Sequence, residues 1–235
     1  MNAFVTYLCS DDFVPGVIAL KKSLTLTGHT TQFVCMHTGN VSKDYVSEIQ
    51  KNDISTICVE KVYPTNTRDI KDRYRDDPWK MYTKLQLWNL DFETVVYIDC
   101  DCLVVKNVES MFEMPELSAV RDAGYGGISA GVMVLKPSTD RFDSLVSVMN
   151  THSYDDTYSD QSLTNYYFTE VVGSWNEIPV HYNTLQKRTQ ISNETMVFHY
   201  NGQKPWISDP LHACCWRQGT TNVFALWWNA YGATT

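Results

Sequence analysis

Short apolar runs that alternate with helical patterns constrain this chain more than any other feature. The first run, AFVTYL at Ala3–Leu8, is continuous and rich in β-favouring residues, which suits a strand covered on both faces. A helical pattern follows from Pro15 through Val17, Ile18, Leu20 and Leu24 to Leu26. Proline suits its first turn, and Gly28 suits its stop. QFVCMH predicts a second strand, SKDYVSEIQKN an amphipathic helix with Ser42 as cap and Val46 and Ile49 inward, and TICVEKV a third strand. Further on, Met81–Trp88 reads as a helix and TVVYID as a strand. SAVRD and VMVLKP read as two more strands, with Gly124, Gly126, Gly127 and Gly131 between them. Phe142, Leu145, Val146 and Met149 then fall at helical spacing. Strands alternating with helices through short links indicate an α/β fold whose sheet is mostly parallel in its first half. No internal repeat, low-complexity tract or linker interrupts the 235 residues, so a single domain over 1–235 is expected.

The net charge of −8 argues against nucleic acid as the main partner, because phosphate-backbone binding needs clustered Lys and Arg. No run of about 18 apolar residues is present, so no transmembrane segment is expected. The start, MNAFVTYLCSDD, has neither a charged leader nor a cleavage site. Seven cysteines, an odd number without regular spacing, suit a reducing compartment. Together these features set the expectation of a cytoplasmic protein.

Ligands of open α/β sheets collect at the carboxyl ends of strands. There, directly after VVYI, the chain carries DCDC, with Asp99 and Asp101 alternating with Cys100 and Cys102. If the extended backbone persists, the two aspartates share one face, where they repel unless a cation lies between them. Oxygen ligands favour a hard divalent ion, Mn²⁺ or Mg²⁺. A solvated strand end without a ligand is the competing reading. A second candidate is MVFHYNGQKPW: His199 follows an apolar run, Gly202 permits a tight turn, and Lys204 can meet a phosphate. His199 is a third ligand or a satisfied structural residue on this information.

YIDCD, SAGVMVLKP, SDQSLTN and HYNGQKPW, in that order, resemble the retaining glycosyltransferases of family 8, in particular the glycogenin-like members. FVTYLCSDDFVPGVIALKKSL and YTKLQLW extend the resemblance over nearly the whole chain. It implies a GT-A fold with a Rossmann-like sheet, a UDP-sugar donor with UDP-glucose favoured, and Mn²⁺ held by Asp99, Asp101 and His199, with Mg²⁺ as the alternative ion. It also implies that Cys100 adjoins the nucleotide and that Gly202 and Lys204 belong to a loop over the phosphates. Tyr7, Leu8, Cys9 and Phe13 match the uridine pocket, Cys9 standing where small polar residues are common. Arg75 and Lys84 match two cations that contact the donor. Asp122 matches a carboxylate that holds sugar hydroxyls. Ser129, Ala130 and Gly131 match a turn against the donor sugar, with Ser129 where glycogenins carry Asn. Asp160 and Gln161 match a pair beside the anomeric carbon, and they also suit a helix N-terminus.

Retention of configuration admits two routes, a double displacement on Asp160 or a front-face exchange that Asp160 and Gln161 steady. In glycogenins the acceptor tyrosine precedes the metal histidine; here Tyr182 lies far upstream, so a separate glycan or protein acceptor is expected, with Tyr166 and Tyr167 as incidental alternatives. A UDP-sugar hydrolase or a non-catalytic nucleotide-sugar sensor would share the donor residues, and the sequence leaves a homodimer open.

Overall fold

The computed structural model describes residues 1–65, 76–124, 126–187, 190–207, 217–218 and 221–232. In chain order the elements are β1 (Asn2–Leu8), α1 (Val14–Leu26), β2 (Phe33–His37), α2 (Lys43–Lys51), β3 (Ser55–Cys58), α3 (Trp79–Tyr82), β4 (Thr94–Ile98) and β5 (Cys102–Val104). They continue as β6 (Ser118–Arg121), β7 (Ile128–Leu135), α4 (Thr139–Thr151), α5 (Asp160–Tyr166), β8 (Asn176–Ile178), β9 (Thr184–Leu185), β10 (Val197–His199), β11 (Arg217–Gln218), β12 (Thr221–Asn222) and α6 (Val223–Gly232).

The main sheet has seven strands in the order β3-β2-β1-β4-β7-β6-β8. β3, β2, β1 and β4 run parallel, as the alternation with helices requires. β7 enters antiparallel between β4 and β6, while β6 and β8 are again parallel. The pleat divides the apolar side chains between two faces. Ala3, Val5 and Tyr7 of β1 join Val95 and Tyr97 of β4 in one core, and Phe4, Leu8, Val96 and Ile98 join α1 in the other. A strand with both faces buried explains why β1 and β4 read as continuous apolar runs.

A smaller sheet, β5-β10-β9, forms where the chain leaves β4. α6 closes a third cluster, packing Phe224 and Trp227 against Leu103, Phe198 and Tyr200. Trp227 and Trp206 lie 5.3 Å apart, and Trp206 meets Phe13 edge-on at 5.6 Å. An aromatic seam therefore connects α6 to the first strand-helix junction.

Five local expectations are corrected. The DCDC segment does not stay extended: β4 ends at Ile98, and Cys102 N bonds back to Asp99 O at 3.0 Å, closing a turn before β5. Ser129, Ala130 and Gly131 lie inside β7 rather than in a turn, because β7 starts at Ile128. Residues Thr83–Asn89 form a 3₁₀ helix after the single α-turn of α3. The third strand stops at Cys58, and Ser42 stands at the N-cap of α2 without a side-chain cap bond. Among the described residues no helix is long and apolar enough to cross a membrane.

Candidate active site

The turn after β4 and the end of β10 meet because of strand register. In the antiparallel β5–β10 pair, His199 stands opposite Cys102, and Tyr200 N donates to Asp101 O at 2.9 Å. Two segments almost a hundred residues apart in sequence thus bring Asp99, Asp101 and His199 together. α1 supports the turn from below. A Cβ on Gly16 would lie 2.4 Å from Cys100 O, so only glycine lets the helix approach this closely.

Each of the three side chains has one polar atom tied off, and the remaining His199 nitrogen faces both carboxylates. Tyr97, one pleat before Asp99 on the same face, donates its hydroxyl to Asp99 Oδ1. Lys204 Nζ donates to Asp101 Oδ2 at 2.5 Å and to Tyr200 O. His199 Nδ1 faces Asn183 Oδ1 at 3.0 Å. His199 Nε2 lies 3.2 Å from Asp101 Oδ1 and 3.8 Å from Asp99 Oδ2. Two ligands at right angles about an ion of Mg²⁺ size stand roughly 3 Å apart, so the 3.2 Å separation of His199 and Asp101 fits one divalent cation, while Asp99 faces His199 from 3.8 Å and stands outside the group of donor atoms that lie within 4.8 Å of one another. Cys102 Sγ also lies within 4.8 Å of the Asp101 and His199 donor atoms, a proximity the sequence pattern did not indicate. Burial, with Asp101 and Asp99 adding to it, pushes that thiol well above its ordinary pKa. Sulfur is a soft donor ill matched to a hard ion, so the oxygen and imidazole set is the better fit for Mn²⁺ or Mg²⁺.

The electrostatics follow from burial and pairing. Burial alone would push the His199 imidazole down, but Asp101 and Asp99 raise it above its usual value. Burial opposes ionisation of Asp101 too, yet His199 and Lys204 hold the carboxyl below the ordinary carboxylate range. Lys84, 7% exposed, lies 2.8 Å from Asp160 Oδ2 and 3.4 Å from Asp99 Oδ1. Burial works against its charge, but Asp160 and then Asp99 keep the ammonium protonated beyond its ordinary range.

Two clefts meet at this cluster. One, of about 120 Å³, is lined by Tyr7, Leu8, Cys9, Phe13, Cys100 and Asp101, among others, which brings together the residues expected around a nucleoside. The other, of about 340 Å³, is lined by Asp122, Ser129, Ala130, Gly131, Asp160, Gln161 and His199, together with Tyr158, Leu185 and Asn201. Met81, Lys84 and Asp99 line both. Asp160 and Gln161 open α5 directly after Ser159, whose φ of +50° is rare for a residue with a side chain. Such a conformation costs about 1–3 kcal/mol and survives where surrounding structure over-determines it. Gln161 Oε1 accepts from Ala130 N at 3.0 Å, locking this turn to β7.

Gly202 and Lys204 border the cluster without lining either cleft; Gly202 N donates to Gln186 Oε1 at 3.1 Å. Arg75 lies outside the described residues. Tyr97, Asn183 and Tyr158 were missed in the sequence. Tyr97 had a signal, its i−2 relation to Asp99; Asn183 and Tyr158 carried none.

The sequence matches Glycosyl transferase family 8 over residues 4–209. It is 29% identical to UDP-glucuronate:xylan alpha-glucuronosyltransferase 1 of Arabidopsis thaliana, across 99% of this chain and 37% of that protein. It is 26% identical to glycogenin-1 of Caenorhabditis elegans, across 87% of this chain and 51% of the relative. The chain thus spans between a third and about half the length of these two relatives. Among solved structures, the galactosyltransferase LgtC in complex with donor and acceptor sugar analogs superposes with a TM-score of 0.73 at 19% identity, covering 100% of this chain and 96% of that one. That likeness carries the fold, a mixed α/β architecture of GT-A type. The chain belongs to glycosyltransferase family 8.

Proposed function

We propose that residues 1–235 act as one catalytic domain, a retaining hexosyltransferase that uses a UDP-sugar and a divalent ion, Mn²⁺ in the first place, to glycosylate a glycan or protein. The observation that carries this reading is that His199 Nε2 faces Asp101 Oδ1 and Asp99 Oδ2 between the two clefts. A divalent ion held there supplies charge neutralisation for the diphosphate and for UDP as it departs. Tyr7, Leu8, Cys9 and Phe13 take the nucleoside, and Asp122, Ala130 and Gly131 border the sugar.

Lys84, shared by both clefts, faces the bond that breaks and offers a fixed positive charge to the leaving phosphate. Lys204, anchored on Asp101, adds a second. Asp160 faces the positive charge that develops at the anomeric carbon, and Gln161, fixed through Ala130 N, holds the sugar beside it. The sugar compartment is bordered by three carboxylates, Asp99, Asp122 and Asp160, against one lysine among its described residues. That balance favours a neutral hexose, glucose first, over a uronic acid, whose carboxylate would meet like charge.

The test is UDP release from a panel of UDP-sugars with Mn²⁺, with Asp101→Asn alongside. UDP from one neutral hexose donor, lost in the variant and in EDTA, with an α-configured product by NMR, is expected. Preference for UDP-glucuronate, or turnover indifferent to metal and to Asp101→Asn, overturns the reading. Free sugar as the sole product with every acceptor offered replaces the transferase with a hydrolase.

A further inference from the structure

We propose that Asn183 and Ser129 are positioning residues that determine which nitrogen of His199 is available to a metal ion. The inference rests on the metal reading above and extends it to residues outside the ligand set. Asn183 ends the turn before β9, and the parallel β9–β10 pairing, with Leu185 opposite His199, delivers its side chain to the back of the imidazole. Asn183 is fully buried, Ser129 is 3% exposed and His199 is 7% exposed, so the bonds between them are largely shielded from water.

The hydrogen bonds form a chain. Asn183 Nδ2 donates to Ser129 Oγ at 3.0 Å, and its Oδ1 faces His199 Nδ1, also at 3.0 Å. An amide oxygen only accepts, so Nδ1 carries the hydrogen. A neutral ring with its hydrogen on Nδ1 has its lone pair on Nε2, and Nε2 is the atom that faces Asp99 and Asp101. Were the amide reversed, its NH₂ would force the hydrogen onto Nε2 and close that nitrogen to a cation. Ser129 therefore acts at two removes. Its hydroxyl is engaged by Asn183, although it borders the cleft where a contact to the donor sugar was expected. Partners of this kind typically change metal affinity about ten- to a hundredfold.

The experiment measures Mn²⁺ affinity by EPR of the free ion, without donor or turnover. Four proteins are compared: the parent, Asn183→Leu, Asn183→Asp and Ser129→Ala. A second readout, long-range ¹H–¹⁵N NMR of the histidines with Mg²⁺, identifies the protonated nitrogen of His199. Asn183→Leu should bind Mn²⁺ about ten- to a hundredfold more weakly. Asn183→Asp should keep the affinity, because a carboxylate also accepts the Nδ1 hydrogen. Ser129→Ala should show a smaller loss in the same direction. A merely structural role would not separate the leucine from the aspartate variant. If the parent binds Mn²⁺ and folded Asn183→Leu binds it as tightly, the inference falls while the metal reading stands. If the parent binds no Mn²⁺, both fall. Should Asn183→Leu not fold, Ser129→Ala decides: unchanged affinity with unchanged Nδ1 protonation overturns the proposal.

Discussion

Gly131→Ala is the smallest change that should disable the site. Gly131 lies inside β7, and its carbonyl accepts from Asp99 N at 2.8 Å. A Cβ there would stand 2.6 Å from His199 Cε1, 2.7 Å from Nδ1 and 3.1 Å from Asp99 Oδ2. Carbon atoms rest at about 3.5–4.0 Å, so the imidazole or β7 must give way by roughly 1 Å. Neither moves freely, since β7 is paired on both sides and His199 is held by β5, β9 and Asn183. Overpacking of this kind costs about 1–3 kcal/mol of stability, which a domain of this size can survive. The functional effect should be larger. Metal ligands tolerate about 0.2 Å, so a 1 Å shift removes the imidazole from the set, and misplacement on that scale costs roughly a hundredfold in rate. The assay is UDP release beside Mn²⁺ affinity, with Gly39→Ala as control because a Cβ there meets nothing within 4 Å. A folded Gly131→Ala protein with parental Mn²⁺ affinity and turnover would refute the argument.

Mn²⁺ must displace a proton from His199, whose value is raised by Asp101 and Asp99 against the effect of burial. Affinity should therefore fall about tenfold per pH unit once the imidazole is protonated, which titration of Mn²⁺ binding in buffers of descending pH would check. In EDTA the sign for stability is different. The raised His199 contributes fully below its unfolded value near 6.5 and loses that contribution as pH rises through its folded one. The depressed Asp101 contributes above about 3.9 and loses its share in acid, so maximal stability is expected between about pH 4 and pH 6.5; thermal unfolding across pH reads this directly. Lys84→Met leaves Asp160 and Asp99 without their shared ammonium. It should cost about 3–5 kcal/mol near neutral pH, which urea unfolding tests.

Much of the architecture is legible along the chain because it depends on local pattern. The apolar run of β4 ends where two carboxylates begin, and that coincidence marks the end of a buried strand. Helix α1 starts and stops where Pro15 and Gly28 allow. Tyr97 and Asp99, two residues apart, share a face by the pleat that the sequence already implies.

The sequence by itself determined most of the alternation of strands and helices from β1 to α4 and, through its motifs, the family. It did so because strand and helix periodicity, capping and burial on two faces act over a few residues. Tertiary structure decided what pairs across long separations. Register between β5 and β10 put His199 against Asp101, and a turn replaced the extended DCDC. The start of β7 at Ile128 turned an expected loop into the wall against which His199 rests. Asn183 and Ser129, 54 residues apart, became partners only because β7 and the turn before β9 lie side by side. No local propensity encodes such a meeting, since it depends on how sheets close around a shared core.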